Sequence, residues 1–170
     1  MIAFLRSTLF LLLAILITAP FGLLVTLAVV LPIACRFQLI ALWRAGFMAL
    51  CRYVLGLRYQ VIGKENIPAT PSVILSKHQS AWETVGLQAI FPPLVFVLKK
   101  SLLMIPFLGW AFAAVKMISI DRSAGTDALR QVIDQGRDRL KAGYWVVTVS
   151  YTHLRAHETD SYLVCRLLLE

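Results

Sequence analysis

The sequence predicts an α/β domain, a mostly parallel sheet flanked by helices, carried behind an N-terminal hydrophobic helix or helical hairpin. Three observations predict it. No residue from Ser7 to Cys35 carries a charge. Short apolar runs then alternate with helical patterns, the signature of strands joined by helical crossovers. The whole chain is 59% hydrophobic and only 15% charged, with a mean hydropathy of +0.75.

The apolar run is rich in Leu, Ile, Val, Ala and Phe. It exceeds the roughly 20 residues a helix needs to cross a hydrocarbon core of about 30 Å. Pro20, Gly22 and Pro32 interrupt it, which allows either a kinked span or a hairpin dipping into one leaflet. A secretory signal is the weaker reading, because its apolar region is shorter and ends in a small-residue cleavage site. Residues 1–36 therefore read as a membrane anchor. Only Arg6 precedes the run, whereas Arg36, Arg44, Arg52, Arg58 and Lys64 follow it. The positive-inside bias then places the main body on the cytoplasmic side of the cell inner membrane.

The net charge of +8 suits anionic lipid headgroups next to such a segment. Nucleic acid is not expected as a partner, since no recognition motif accompanies the charge. Cys35, Cys51 and Cys165 show neither disulfide nor metal spacing, which fits a reducing compartment.

Beyond the anchor, Phe37 to Leu55 interleaves basic and apolar residues and reads as a helix on the membrane surface. Arg58 to Gly63 alternates as a strand does, and Asn66-Ile67-Pro68 marks a turn. Ser72 to Ser76 is a short apolar strand. Glu83 to Phe91 reads as a helix stopped by Pro92-Pro93, and Leu94 to Leu98 as a buried strand running into Lys99-Lys100. Ser101 to Val115 is a helical patch interrupted by Pro106 and Gly109. Met117 to Ile120 is a strand, Thr126 to Lys141 a polar-faced helix, and Tyr144 to Val147 the start of a further strand.

The chemistry centres on Lys77-His78-Gln79-Ser80-Ala81-Trp82-Glu83-Thr84. An imidazole oriented by a carboxylate is a standard means of taking a proton from an alcohol near neutral pH. Five residues apart on one helix, His78 and Glu83 would point about 140° away from each other. They can meet if His78 lies in the loop after the strand and Glu83 in the first turn of the next helix, which is the arrangement the predicted elements give. On spacing alone the pattern is weak. A loop histidine beside a carboxylate favoured by the helix dipole accounts for it more readily.

The neighbours make it more specific. The block resembles the first motif, N-H-Q-S-x-x-D/E, of the glycerolipid acyltransferases, in particular the bacterial 1-acyl-glycerol-3-phosphate acyltransferases. Lys77 stands for the common Asn and Glu83 for the commoner Asp. A second block is similar as well: Lys99-Lys100-Ser101-Leu102, then Pro106, Gly109 and Ile120-Asp121-Arg122. The resemblance covers roughly Arg52 to Val147.

It implies a membrane-anchored glycerolipid acyltransferase fold and transfer of a fatty acyl chain from acyl-CoA or acyl carrier protein to the sn-2 hydroxyl of lysophosphatidic acid, giving phosphatidic acid. His78 is then the base and Glu83 its orienting partner. Substrate contacts fall to Arg122, Lys99, Lys100 and Ser80. Arg122 suits a phosphate, its plain alternative being an ion pair with a carboxylate such as Asp121. Lys99 and Lys100 either hold acidic headgroups or are solvated lysines at a strand end. Pro106 and Gly109 read as shape-setting. Neither a metal nor a cofactor is implied beyond the thioester co-substrate. Rival readings are the same fold acting on another lysolipid or an amino-lipid, and a non-catalytic basic protein bound to membrane lipids.

One family feature is missing. The F-P-E-G-T-R block should follow the strand beginning at Trp145, and the chain instead continues Thr148-Val149-Ser150-Tyr151-Thr152-His153. The acyltransferase domain is accordingly assigned to residues 37–148, incomplete at its C-terminal side. Residues 149–170 are expected to be foreign to the domain, and restoring an E-G-T-R-containing half is expected to restore activity. His153 and His157 have helical spacing that zinc tolerates, but no third ligand is placed to join them.

Overall fold

The computed structural model describes residues 1–77, 80–121 and 126–150. It divides into two compact units, one of Met1–Tyr59 with Leu98–Asp121 and the other of Gln60–Val97 with Arg122–Glu170.

In the first unit, α1 (Ile2–Leu27) is one continuous helix with Pro20 inside it. A 3-10 turn (Ala28–Val30) and Pro32 reverse the chain into α2 (Ile33–Leu50), which ends in a single π-helical turn (Cys51–Leu55) capped by left-handed Gly56. The two helices form an antiparallel hairpin. Arg6 Nε donates to the Val54 carbonyl at 2.7 Å and closes its open end. The rings of Phe10 and Phe47 meet edge to face at 5.6 Å, and Trp43 Nε1 donates to Thr18 Oγ1 at 3.1 Å. Both arms, Ile2–Val30 and Ile33–Leu55, are long and apolar enough to cross a membrane. Little of either is covered by protein: Phe4, Leu12, Leu16 and Val30 are all exposed. An apolar surface of this extent marks a site of membrane or protein contact.

A 3-10 turn (Lys100–Met104), the short helix α4 (Leu108–Ala114) and the strand β3 (Ile118–Ile120) complete this unit. Arg36 is buried near the turn of the hairpin and spends its guanidinium on backbone carbonyls. Nε and Nη2 donate to Leu31 at 3.2 and 3.0 Å, and Nη1 donates to Ala114, the last residue of α4. Helix-end carbonyls lack intrahelical partners and carry partial negative charge. The cation is therefore neutralised in part by the carbonyl ends of the 3-10 turn Ala28–Val30 and of α4. Sequence position alone grouped Arg36 with the headgroup-facing arginines, whereas the structure uses it as an internal clasp.

The second unit holds the parallel sheet. Strands β1 (Val73–Lys77) and β2 (Leu94–Lys99) both pair in parallel with β4 (Trp145–Ser150), which lies between them. The register matches Val73 to Val146 and Lys77 to Ser150 on one side, and Leu94 to Trp145 and Phe96 to Val147 on the other. A strand inside a parallel sheet is covered on both faces and reads as an unbroken apolar run. Trp145, Val146 and Val147 are all buried, and so are Leu94, Val95 and Phe96. On β1, by contrast, Ile74 is buried while its neighbours Val73 and Leu75 are exposed. Helix α3 (Trp82–Ile90) connects β1 to β2, and α5 (Thr126–Lys141) precedes and packs against β4. Asp127 stands in the first turn of α5 and Arg139 and Lys141 in its last, each matched to the helix dipole.

One expected element does not form. Residues 58–63 make no strand and lead into left-handed Gly63 and a 3-10 turn, Lys64–Asn66. Alternation only prepares a segment for pairing. Without a neighbouring ladder to satisfy its amides, an exposed run such as Arg58-Tyr59-Gln60 stays irregular.

Candidate active site

The described residues of the first motif, Lys77 and Ser80 to Thr84, lie at the C-terminal end of β1 and in the segment that leads into the next helix. That end of a parallel sheet is where ligands characteristically bind, because the strands stop there and the connecting loops open a crevice. β1 ends at Lys77, which is exposed, and α3 starts at Trp82. Glu83 is thus the second residue of the helix. Its amide donates to the Ser80 carbonyl at 3.3 Å, and Thr84 Oγ1 donates to the Ala81 carbonyl at 2.7 Å. Those two bonds wind the tight turn that brings Ser80 and Glu83 together. Ser80 is exposed, while Glu83 is half-buried and sits at the positive end of the helix dipole.

Gly86 explains how α3 accommodates its own aromatic residue. A methyl group there would lie 2.8 Å from Trp82 Cζ3, so the indole lies across the backbone of the next turn. One face of the helix is closed in this way, and Val85 and Gly86 are buried beside it.

His78 and Gln79 lie outside the described residues, as do Arg122 and the tail histidines His153 and His157. The expected strand–loop–helix frame around His78 is present on both sides of it, in β1 and in the turn at Ser80. Lys99 closes β2 and Lys100 opens the following 3-10 turn, and both are exposed. They belong to the first compact unit, whereas Ser80 and Glu83 belong to the second.

Residues 58–149 match the acyltransferase family. That stretch is more than half of the chain. The chain belongs to the acyltransferase family. Within this family it is similar to the 1-acyl-sn-glycerol-3-phosphate acyltransferase of Pseudomonas aeruginosa, at 49% identity over 122 residues, covering 71% of this chain and 48% of that protein. It is also similar to the 1-acyl-sn-glycerol-3-phosphate acyltransferase of Saccharomyces cerevisiae, at 34% identity over 113 residues, covering 62% of this chain and 37% of that protein. The chain therefore spans about half, or less, of the length of these relatives. No solved structure matches it.

Proposed function

We propose that the protein transfers a fatty acyl chain from a thioester, acyl-CoA or acyl carrier protein, to the sn-2 hydroxyl of 1-acyl-glycerol-3-phosphate. The product is phosphatidic acid, a precursor of membrane phospholipids. The observation that carries this reading is the family match over 58–149, joined to the name shared by two relatives of that family.

In this mechanism His78 takes the proton of the acceptor hydroxyl as its oxygen attacks the thioester carbonyl. The C–S bond breaks, and the proton passes to the departing thiolate. Glu83, fixed in the first turn of α3, orients the imidazole and stabilises its protonated form, the base-plus-orienter logic of nucleophile activation. No covalent acyl-enzyme is required, because the substrate provides the nucleophile. Arg122 holds the acceptor phosphate through the planar donor array that suits it, with Lys99, Lys100 and Ser80 as further contacts. Neither a metal nor another cofactor takes part.

The α1–α2 hairpin seats the protein in the cytoplasmic face of the inner membrane, where acceptor and product both reside. An E-G-T-R block after β4 completes the phosphate grip in this reading, and residues 151–170 contain no such block. The test is acyl transfer from labelled thioester to lysophosphatidic acid in mixed micelles. The chain is assayed after extension past Val147 with the C-terminal half of the Pseudomonas aeruginosa relative. Labelled phosphatidic acid supports the reading. Transfer to an acceptor without a phosphate at an equal rate rejects the choice of acceptor.

A further inference from the structure

From Ser101 to Val115 the chain again carries no charge, and lysines bracket the stretch: Lys99 and Lys100 before it, Lys116 after it. At 15 residues it is too short to cross a bilayer, which takes about 20. One side of it is folded away, with Gly109, Ala111, Ala114 and Val115 buried, but the other is not. Leu102, Ile105, Phe107 and Trp110 are all substantially exposed, and Met104 is 81% exposed. Phe107 and Trp110 stack edge to face at 5.3 Å.

Two contacts tie this segment to the apolar hairpin. At Gly22 of α1 a Cβ would lie 2.8 Å from the Phe107 carbonyl oxygen, so the two backbones approach as closely as only glycine allows. At the other end of α4, Arg36 donates to the Ala114 carbonyl. Both ends of α4 are therefore fastened to the half of the hairpin that contains its turn. That turn also exposes Val29, Val30 and Leu31. A bilayer that receives this part of the hairpin meets α4 as well.

We propose that residues 101–115 form a third membrane-seated element, dipping into the same leaflet as the hairpin with Lys99, Lys100 and Lys116 at the level of anionic headgroups. The inference rests on the reading that the hairpin itself enters a bilayer. Several of its backbone amides are satisfied within the segment, as a bilayer demands of polar groups. The amide of Ile105 donates to Leu102, Leu108 to Pro106, Gly109 to Ile105, Ala111 to Phe107, Val115 to Ala111 and Lys116 to Ala113. The Leu108–Pro106 bond closes a γ-turn around Phe107 (φ 63°). This tight reversal lets the segment enter and leave on one side. Aromatic rings with flanking lysines suit the interface, the rings at headgroup depth and the long cationic stems reaching outward. A bilayer rather than a protein partner is indicated because the patch is continuous with the exposed apolar length of α1, and because no acidic residue interrupts it.

The test uses the full chain, with Cys35, Cys51 and Cys165 replaced by alanine and a polarity-sensitive fluorophore at Met104→Cys or, separately, Leu12→Cys in α1. Each is reconstituted in phosphatidylglycerol/phosphatidylcholine vesicles with or without bromine on the acyl chains. The expected result is blue-shifted emission quenched by bromine at both positions, with the Met104 signal weakening when phosphatidylglycerol is omitted. Quenching at Leu12 but not at Met104 overturns this inference and leaves the hairpin reading intact. Quenching at neither overturns both. Amide exchange of residues 104–110 in the unsubstituted chain gives an independent readout, and identical exchange with and without vesicles also counts against the proposal.

Discussion

Lys77, the last residue of β1, lies opposite Ser150, the last residue of β4, in a parallel ladder. The strand that precedes His78 in sequence, β1, and the strand β4 therefore end side by side. Two strand ends separated by some 70 positions in sequence are brought together by the register of two five-residue stretches. Shifting that register would turn the buried Ile74 toward solvent, and that cost holds the two ends together.

This pairing gives the first prediction. Extending the chain after Val147 with the C-terminal half of the Pseudomonas aeruginosa relative should raise acyl transfer far above that of the 170-residue chain, measured as labelled phosphatidic acid. Equal activity of both chains would show that nothing from the relative beyond the Val147 junction is needed.

Arg122 is expected to act on the acceptor. In the extended protein, Arg122→Ala should raise KM for lysophosphatidic acid by about 10- to 100-fold, the loss of one or two charge-assisted hydrogen bonds worth roughly 1.5–3 kcal/mol. KM for the thioester should hardly change. Steady-state kinetics with each substrate varied in turn separates the two, and a uniform fall in kcat alone would remove Arg122 from the phosphate.

Arg36 has a different task. Arg36→Met would leave the Leu31 and Ala114 carbonyls without their donor in a buried position, at a cost of about 1–3 kcal/mol. Lower thermal stability in detergent is expected, with KM for both substrates unchanged in the molecules that remain folded. An unaltered melting temperature would show that the clasp contributes nothing.

Gly109 tests whether the second motif sets shape. A Cβ there would lie 2.6 Å from the Leu102 carbonyl oxygen, and closer still to the backbone of Leu103. Gly109→Ala must therefore displace the 3-10 turn Lys100–Met104 from α4, and overpacking of this kind costs about 1–3 kcal/mol. The expected signature is a lower melting temperature without a change in preference between phosphorylated and unphosphorylated acceptors. A switch in that preference would instead make Gly109 part of acceptor recognition.

Local patterns carried much of the fold. Leu94 to Leu98 and Thr126 to Lys141 announce β2 and α5 through an unbroken apolar run and a helical period, and Pro92-Pro93 marks the end of α3. What sequence could not supply was partnership. Arg58 to Gly63 has the alternation of a strand but no ladder to join. The helix running to Leu55, expected to lie on the membrane surface, is the second arm of a hairpin, visible only once Arg6 meets Val54 and Trp43 meets Thr18. At the candidate site, the motif placed Glu83 in the first turn of a helix, where the structure has it, because its spacing from the preceding strand fits a loop and a helix start. Arg36 was missed as a clasp because a lone arginine after a long apolar run looks the same whether it faces headgroups or carbonyls.

The most direct test of the account is the initial rate of acyl transfer to lysophosphatidic acid by the extended protein and by its His78→Ala variant, with vesicle binding measured on the same samples. A positioned general base typically contributes 10²–10⁴-fold, so the rate should fall by about that factor while vesicle binding is retained. Transfer at an undiminished rate by His78→Ala would contradict the assignment of the base, and with it the mechanism built on the His78–Glu83 pair.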